Sequence, residues 1–102
     1  MNTKPESIWS LYILDCDGRL YTGISTDVAR RLQQHQQGKQ GARFTRAARQ
    51  ISLCYQQVIG AHGLALRAEA RLKKLPRREK LALIDAAPEP AQLLAWLQLA
   101  SS

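Results

Sequence analysis

The chain has 102 residues, 45% of them hydrophobic, and carries Lys+Arg 15 against Asp+Glu 8 for a formal charge of +7. That length suits one domain, large enough to bury a core without disulfide or metal staples. No apolar run is long enough for a membrane span, residues 1–7 lack the apolar stretch of a secretory signal, and Cys16 and Cys54 have no metal-like spacing. A cytoplasmic protein with reduced thiols is expected.

The charge is concentrated. Residues 30–80 hold 13 basic side chains, opposed only by Glu69 and Glu79. A positive field of that density is the usual footprint of a polyanion partner, because released counterions supply affinity. An anionic membrane surface fits less well, since no basic segment has a large exposed apolar face. A solvated surface is the plain alternative.

Along the chain, residues 8–14 and 20–25 are rich in strand formers, and Asp17-Gly18 between them signals a two-residue hairpin turn. That turn pairs Cys16 with Arg19, Tyr12 with Gly23 and Leu14 with Tyr21. One face then carries Trp9, Leu11, Ile13, Leu20, Thr22 and Ile24, the expected core. The other carries Tyr12 and Tyr21 as diagonal neighbours, about 7–8 Å apart at the backbone. Ser25 or Thr26 can cap a helix from Asp27 to about Gln37, ended by Gly38. On it Val28, Arg31, Leu32 and His35 share one face, with Arg30 pointing elsewhere. Residues 38–49 form a basic loop with Lys39, Arg43, Arg46, Arg49 and one aromatic, Phe44. Residues 51–59 read as a third strand. A helix follows over 62–75, stopped by Pro76, with Leu66, Glu69 and Leu72 in line. A short helix over 77–85 and an apolar one over 91–99 complete the chain. Strand–strand–helix–strand–helices is an α+β fold, a small three-stranded antiparallel sheet flanked by helices.

Taken singly, these residues have ordinary readings: Tyr12 and Tyr21 as sheet packing, His35 as a helix end, Glu69 as an i,i+4 partner of Lys73. Both cysteines read as buried thiols and Phe44 as a packing or base-stacking ring. The Leu93, Leu94, Trp96, Leu97 helix reads as core cover, with a partner-binding helix as the alternative.

Taken together, the pattern resembles the GIY-YIG nuclease family, closest to its small bacterial single-domain members. Ser10-Leu11-Tyr12 stands for the first motif and Tyr21-Thr22-Gly23 for the second. Arg31 lies eight residues after that glycine, His35 four later, and Glu69 on the helix after the third strand. The match covers residues 8–85, leaving 86–102 as a helical extension packed on the same domain. Ser10, Leu11 and Thr22 depart from the motif residues without removing a chemical group.

The resemblance implies metal-dependent hydrolysis of phosphodiester bonds in DNA, with RNA as an alternative. Tyr12 is the expected base, its phenolate favoured by Arg31 or a metal. Tyr21 would orient water or phosphate, Arg31 would stabilise charge at phosphorus, and His35 would assist proton transfer. Glu69 would hold Mg²⁺ or Mn²⁺. Arg30, Lys39, Arg43, Arg46, Arg49 and Lys73 would grip the nucleic acid. The rival is a binding module without catalysis, or a nuclease whose specificity comes from a protein partner.

Overall fold

The computed structural model describes residues 7–37 and 49–99; the expectations for Lys39, Arg43, Arg46 and Phe44 fall outside them. Strand β1 (Trp9–Cys16) runs antiparallel to β2 (Arg19–Ser25) in the register expected from the turn, with Tyr12 opposite Gly23 and Leu14 opposite Tyr21. Asp17 and Gly18 both take positive φ, 55° and 89°. That is the turn geometry whose twist matches a two-residue hairpin. Strand β3 (Ile51–Gly60) pairs with the other edge of β1, so the sheet order is β2-β1-β3. Register shifts at Trp9/Ser10 and Ile13/Leu14 mark irregularities in that second pairing. The fold is α+β, as expected.

Helix α1 (Val28–Gln37) begins one residue later than the sequence suggests. Asp27 itself is the cap: its Oδ1 accepts the Arg30 backbone N–H at 3.1 Å, while Ser25 Oγ accepts the Asp27 N–H at 2.9 Å. Helices α2 (His62–Lys74), α3 (Arg77–Ala86) and α4 (Pro90–Trp96) follow β3. Pro76 separates α2 from α3, since it can start a helix but not continue one.

Both sheet faces are covered, so the expected core face is one of two. On one face Leu11, Ile13 and Tyr55 meet Ala68, Leu72, Leu83, Leu93 and Leu97, all buried. On the other, Tyr12, Leu14 and Cys16 pack with Val28, Leu32, Ile51 and Leu53 beneath α1. Each leucine so buried contributes about 1.5–3 kcal/mol relative to exposure. Leu66 is not part of the inward row of α2; it is 46% exposed, and Ala65, Ala68 and Leu72 face in. Small residues there let the helix approach the sheet closely. Cys16 is buried, whereas Cys54 is only half-buried.

The C-terminal elements are tied to the sheet by polar bonds as well as by Leu93 and Leu97. Tyr55 Oη donates to the Pro88 carbonyl at 2.7 Å, and Gln57 Nε2 donates to the same oxygen at 3.3 Å. Helix α4 ends at Trp96 rather than Leu99 because Gln98 takes a left-handed φ of 61°. The Gln98 N–H then bonds to Ala95 O and the Leu99 N–H to Leu94 O, closing the helix end as a Schellman motif.

Candidate active site

Tyr12 lies in the middle of the central strand with its ring under α1, 1% exposed. Its space exists because Gly23 stands opposite: a Cβ there would lie 2.5 Å from Tyr12 Cζ and collide with the hydroxyl as well. His35, on the inward side of the last turn of α1, is equally buried, and its Nε2 lies 3.2 Å from the Tyr12 hydroxyl. Tyr21, half-buried on β2, completes a three-ring cluster. Its centroid is 6.5 Å from that of Tyr12 and 5.2 Å from that of His35, the latter edge-on.

Arg31 reaches the same cluster from one turn earlier on α1. Its guanidinium donates to Gln34 Oε1 at 3.1 Å and lies close enough to Tyr12 to favour ionisation of the hydroxyl. Gln34 is a site neighbour that sequence reading passed over; the available signal was its i,i+3 spacing from Arg31. Glu69, on α2, has a side chain 21% exposed and pairs with Lys73 Nζ at 3.5 Å. Its charge also bears on the ionisation of Tyr12. The structure thus brings Tyr12, Tyr21, Arg31 and His35 into one cluster, with Glu69 within electrostatic reach.

The electrostatic balance at Tyr12 differs from the sequence expectation. Burial and the neighbouring Tyr21 push its hydroxyl up to about 12, outweighing the Arg31 guanidinium; Glu69 adds in the same upward direction. Arg31 is therefore placed as expected but does not by itself create a phenolate. Burial, and then the Arg31 charge, lowers the pKa of His35, so its imidazole is neutral near pH 7.

The grip residues that fall among the described ones come from three separate parts of the chain. Arg30 is exposed in the first turn of α1, Arg49 is exposed just before β3, and Lys73 lies on α2 with a side chain 55% exposed. Among the described residues no group of three His, Cys, Asp or Glu side chains could cage a metal. Mg²⁺ does not need one, because it keeps several waters and accepts one or two carboxylates plus substrate phosphate. The half-buried Glu69 carboxylate fits that demand, provided Lys73 swings aside.

Residues 8–82 match the family described as the GIY-YIG catalytic domain. The chain belongs to the GIY-YIG family. It is also 46% identical over 91 residues to the UPF0213 protein YhbQ of Escherichia coli, covering 88% of this chain and 90% of the relative. The same figures hold for the protein of that description in Shigella boydii. Among solved structures, a UPF0213 protein from Bacillus halodurans, determined by NMR in solution, is 39% identical. It aligns over 78% of this chain and 84% of its own with a TM-score of 0.50. GIY-YIG membership assigns the chain to nuclease-type chemistry on DNA and bears out the resemblance carried by the Tyr12 and Tyr21 motifs. Among the described residues no helix is long and apolar enough to cross a membrane.

Proposed function

We propose that this GIY-YIG protein is a cytoplasmic endonuclease that hydrolyses DNA phosphodiester bonds with Mg²⁺ or Mn²⁺ held at Glu69. The observation that carries the reading is the Tyr12–His35 contact in a buried cluster that also receives Arg31 and Tyr21. A carboxylate and a buried Tyr–His pair inside a basic protein have no use in simple polyanion binding.

The Tyr12 hydroxyl lies 3.2 Å from His35 Nε2, and in the tautomer that protonates Nδ1 the neutral imidazole accepts the hydroxyl proton. Tyr12 thereby has an internal acceptor for its proton, and the resulting phenolate could take a proton from the attacking water. Its pKa, raised to about 12, keeps it neutral at rest, and a cation bound beside it would favour the phenolate, so activation follows cation binding. Tyr21 is less buried and orients water or phosphate through its hydroxyl. Arg31, held by Gln34, presents the remaining guanidinium N–H groups to charge developing at phosphorus. A divalent ion at Glu69 would supply charge neutralisation at the phosphate oxygens. Arg30, Arg49 and Lys73 contribute counter-charge along the substrate, as do Lys39, Arg43 and Arg46.

The burial of Tyr12 favours one second reading, a domain whose site opens only with a protein partner. Cleavage of labelled single-stranded, duplex and branched DNA, with Mg²⁺ and with EDTA, tests both. Metal-dependent cutting should fall about 10²–10⁴-fold in Tyr12→Phe and by a similar factor in Glu69→Gln. Salt-sensitive binding without cutting, in the absence of any added partner, would exclude the free-standing enzyme.

A further inference from the structure

The second half of α2 and the first turn of α3 carry Arg71, Lys73, Lys74, Arg77, Arg78 and Lys80, opposed by Glu69 and Glu79. Only Lys73 lies beside the candidate active site. At 100° per residue, Arg71 and Lys74 point about 140–160° away from Glu69 around the helix axis. They cannot serve a phosphate bound at Glu69.

These two cations face a different feature. Together with Leu75, Glu79, Trp96 and Gln98 they line a groove of about 310 Å³ between the C-terminal ends of α2 and α4. Helix α4 buries Leu93 and Leu97 in the core but turns Trp96 outward, 39% exposed. The expectation that this helix serves only as core cover is therefore incomplete. Arg71 Nη1 donates to the Leu97 carbonyl at 3.4 Å, a long bond that holds the guanidinium across the groove beside Trp96. The left-handed Gln98, fixed by the Schellman bonds, sets an amide at the rim. A partly exposed aromatic ring, two cations that outnumber the one carboxylate, Glu79, and a neutral amide match the parts of one nucleotide: a base, a phosphate and a polar base edge.

We propose that this groove is a second nucleic-acid site, taking one nucleotide of a single strand with its base on Trp96 and its phosphate between Arg71 and Lys74. Duplex DNA keeps its bases stacked and cannot offer one to Trp96 without unpairing. The groove therefore favours substrates with an unpaired segment. The inference rests on nucleic acid being the partner and does not require cleavage.

The chain has two tryptophans, Trp9 and Trp96. In Trp9→Phe the emission reports Trp96 alone; the same titration on the parent chain and on Trp96→Phe gives that signal by difference. Short oligo(dT) should quench Trp96 while fluorescence anisotropy of the labelled oligonucleotide reports binding independently. Trp96→Leu should weaken single-strand affinity roughly 5- to 150-fold. Arg71→Gln with Lys74→Gln should lower the salt slope by about 0.7 for each phosphate no longer neutralised. Binding seen by anisotropy with a silent Trp96 overturns the groove and leaves the nuclease reading intact. Equal quenching by polyglutamate overturns it in favour of an acidic peptide. No anisotropy change with any oligonucleotide overturns the nucleic-acid reading itself, and the groove with it.

Discussion

Tyr12 is held from two sides, by the missing side chain of Gly23 and by the imidazole of His35. The pairing of Tyr12 with Gly23 was readable from the Asp-Gly turn, but the reason for the glycine was not. It lies in the tilt of the tyrosine ring across the neighbouring strand, which no sequence spacing encodes. Gly23→Ala should cost about 1–3 kcal/mol, because the added methyl meets a ring with nowhere to move. Urea denaturation measures this; a variant as stable as the parent would show that Tyr12 has room. His35 illustrates the opposite case. Its face on α1 was legible at i, i+3, i+4 spacing, whereas its near-complete burial against a hydroxyl depended on how close α1 lies to the sheet.

Among the elements, the hairpin and the helices were legible because strong local chemistry marks them: Asp17-Gly18 for the turn, Pro76 for the break between α2 and α3. The second coverage of the sheet, beneath α1, was harder to see. Its apolar residues come from β1, α1 and β3, separated by the basic segment, and no single stretch shows the pattern. Also hidden was the use of Asp17 after the turn is made. Its two carboxylate oxygens accept the backbone N–H groups of Arg49 and Gln50, each at 2.8 Å, and its own N–H donates to Gln50 O at 3.1 Å. Those two N–H bonds hold its carboxyl below the usual range. Asp17→Ala should therefore loosen the entry to β3 while leaving the β1–β2 register intact. Hydrogen exchange should show faster exchange at Arg49 and Gln50 and unchanged protection at Leu11 and Ile13; equal loss at all four would mean that the whole sheet depends on the clasp.

For the molecule as a whole, the buried titratable groups define a pH window. Tyr12 and Tyr55 both rise from 10.0 to about 12, each chiefly through burial. The unfolded chain therefore gives up these protons first, and their contribution is lost as pH rises above about 10; the buried Cys16 thiol, raised from 9.0 to about 11, begins the decline above about 9. His35 is shifted the other way, so the unfolded state gains its proton first and stability falls as pH drops below 6.5. Melting temperature measured across pH should be level between these limits as far as these groups govern it. Tyr12→Phe and Tyr55→Phe should each flatten the alkaline limb, and an unaltered limb in both would assign it to other groups. The overall charge, by contrast, was fully legible from the start, since exposed cations need no fold to be counted. Its division between two sides of α2 was not, because helix phase alone does not say where α4 will lie.

The clasp at Asp17 has a further consequence. Gln36 Nε2 donates to the Ile51 carbonyl at 3.0 Å, so the chain is tethered where it leaves α1 and again, through Asp17, where it enters β3. Residues 38–48 connect these two tethered points. Doubling the length of such a connection costs only about 0.6 kcal/mol of closure entropy. Replacing it with a Gly/Ser segment should hardly change the melting temperature, yet remove Lys39, Arg43 and Arg46 and lower the salt slope of duplex binding by about 0.9 for each phosphate left without its cation. A large drop in melting temperature would mean that the segment is part of the fold. Both tethers lie outside residues 38–48, so a descendant that rewrites that stretch keeps the Asp17 and Gln36 bonds that anchor the sheet.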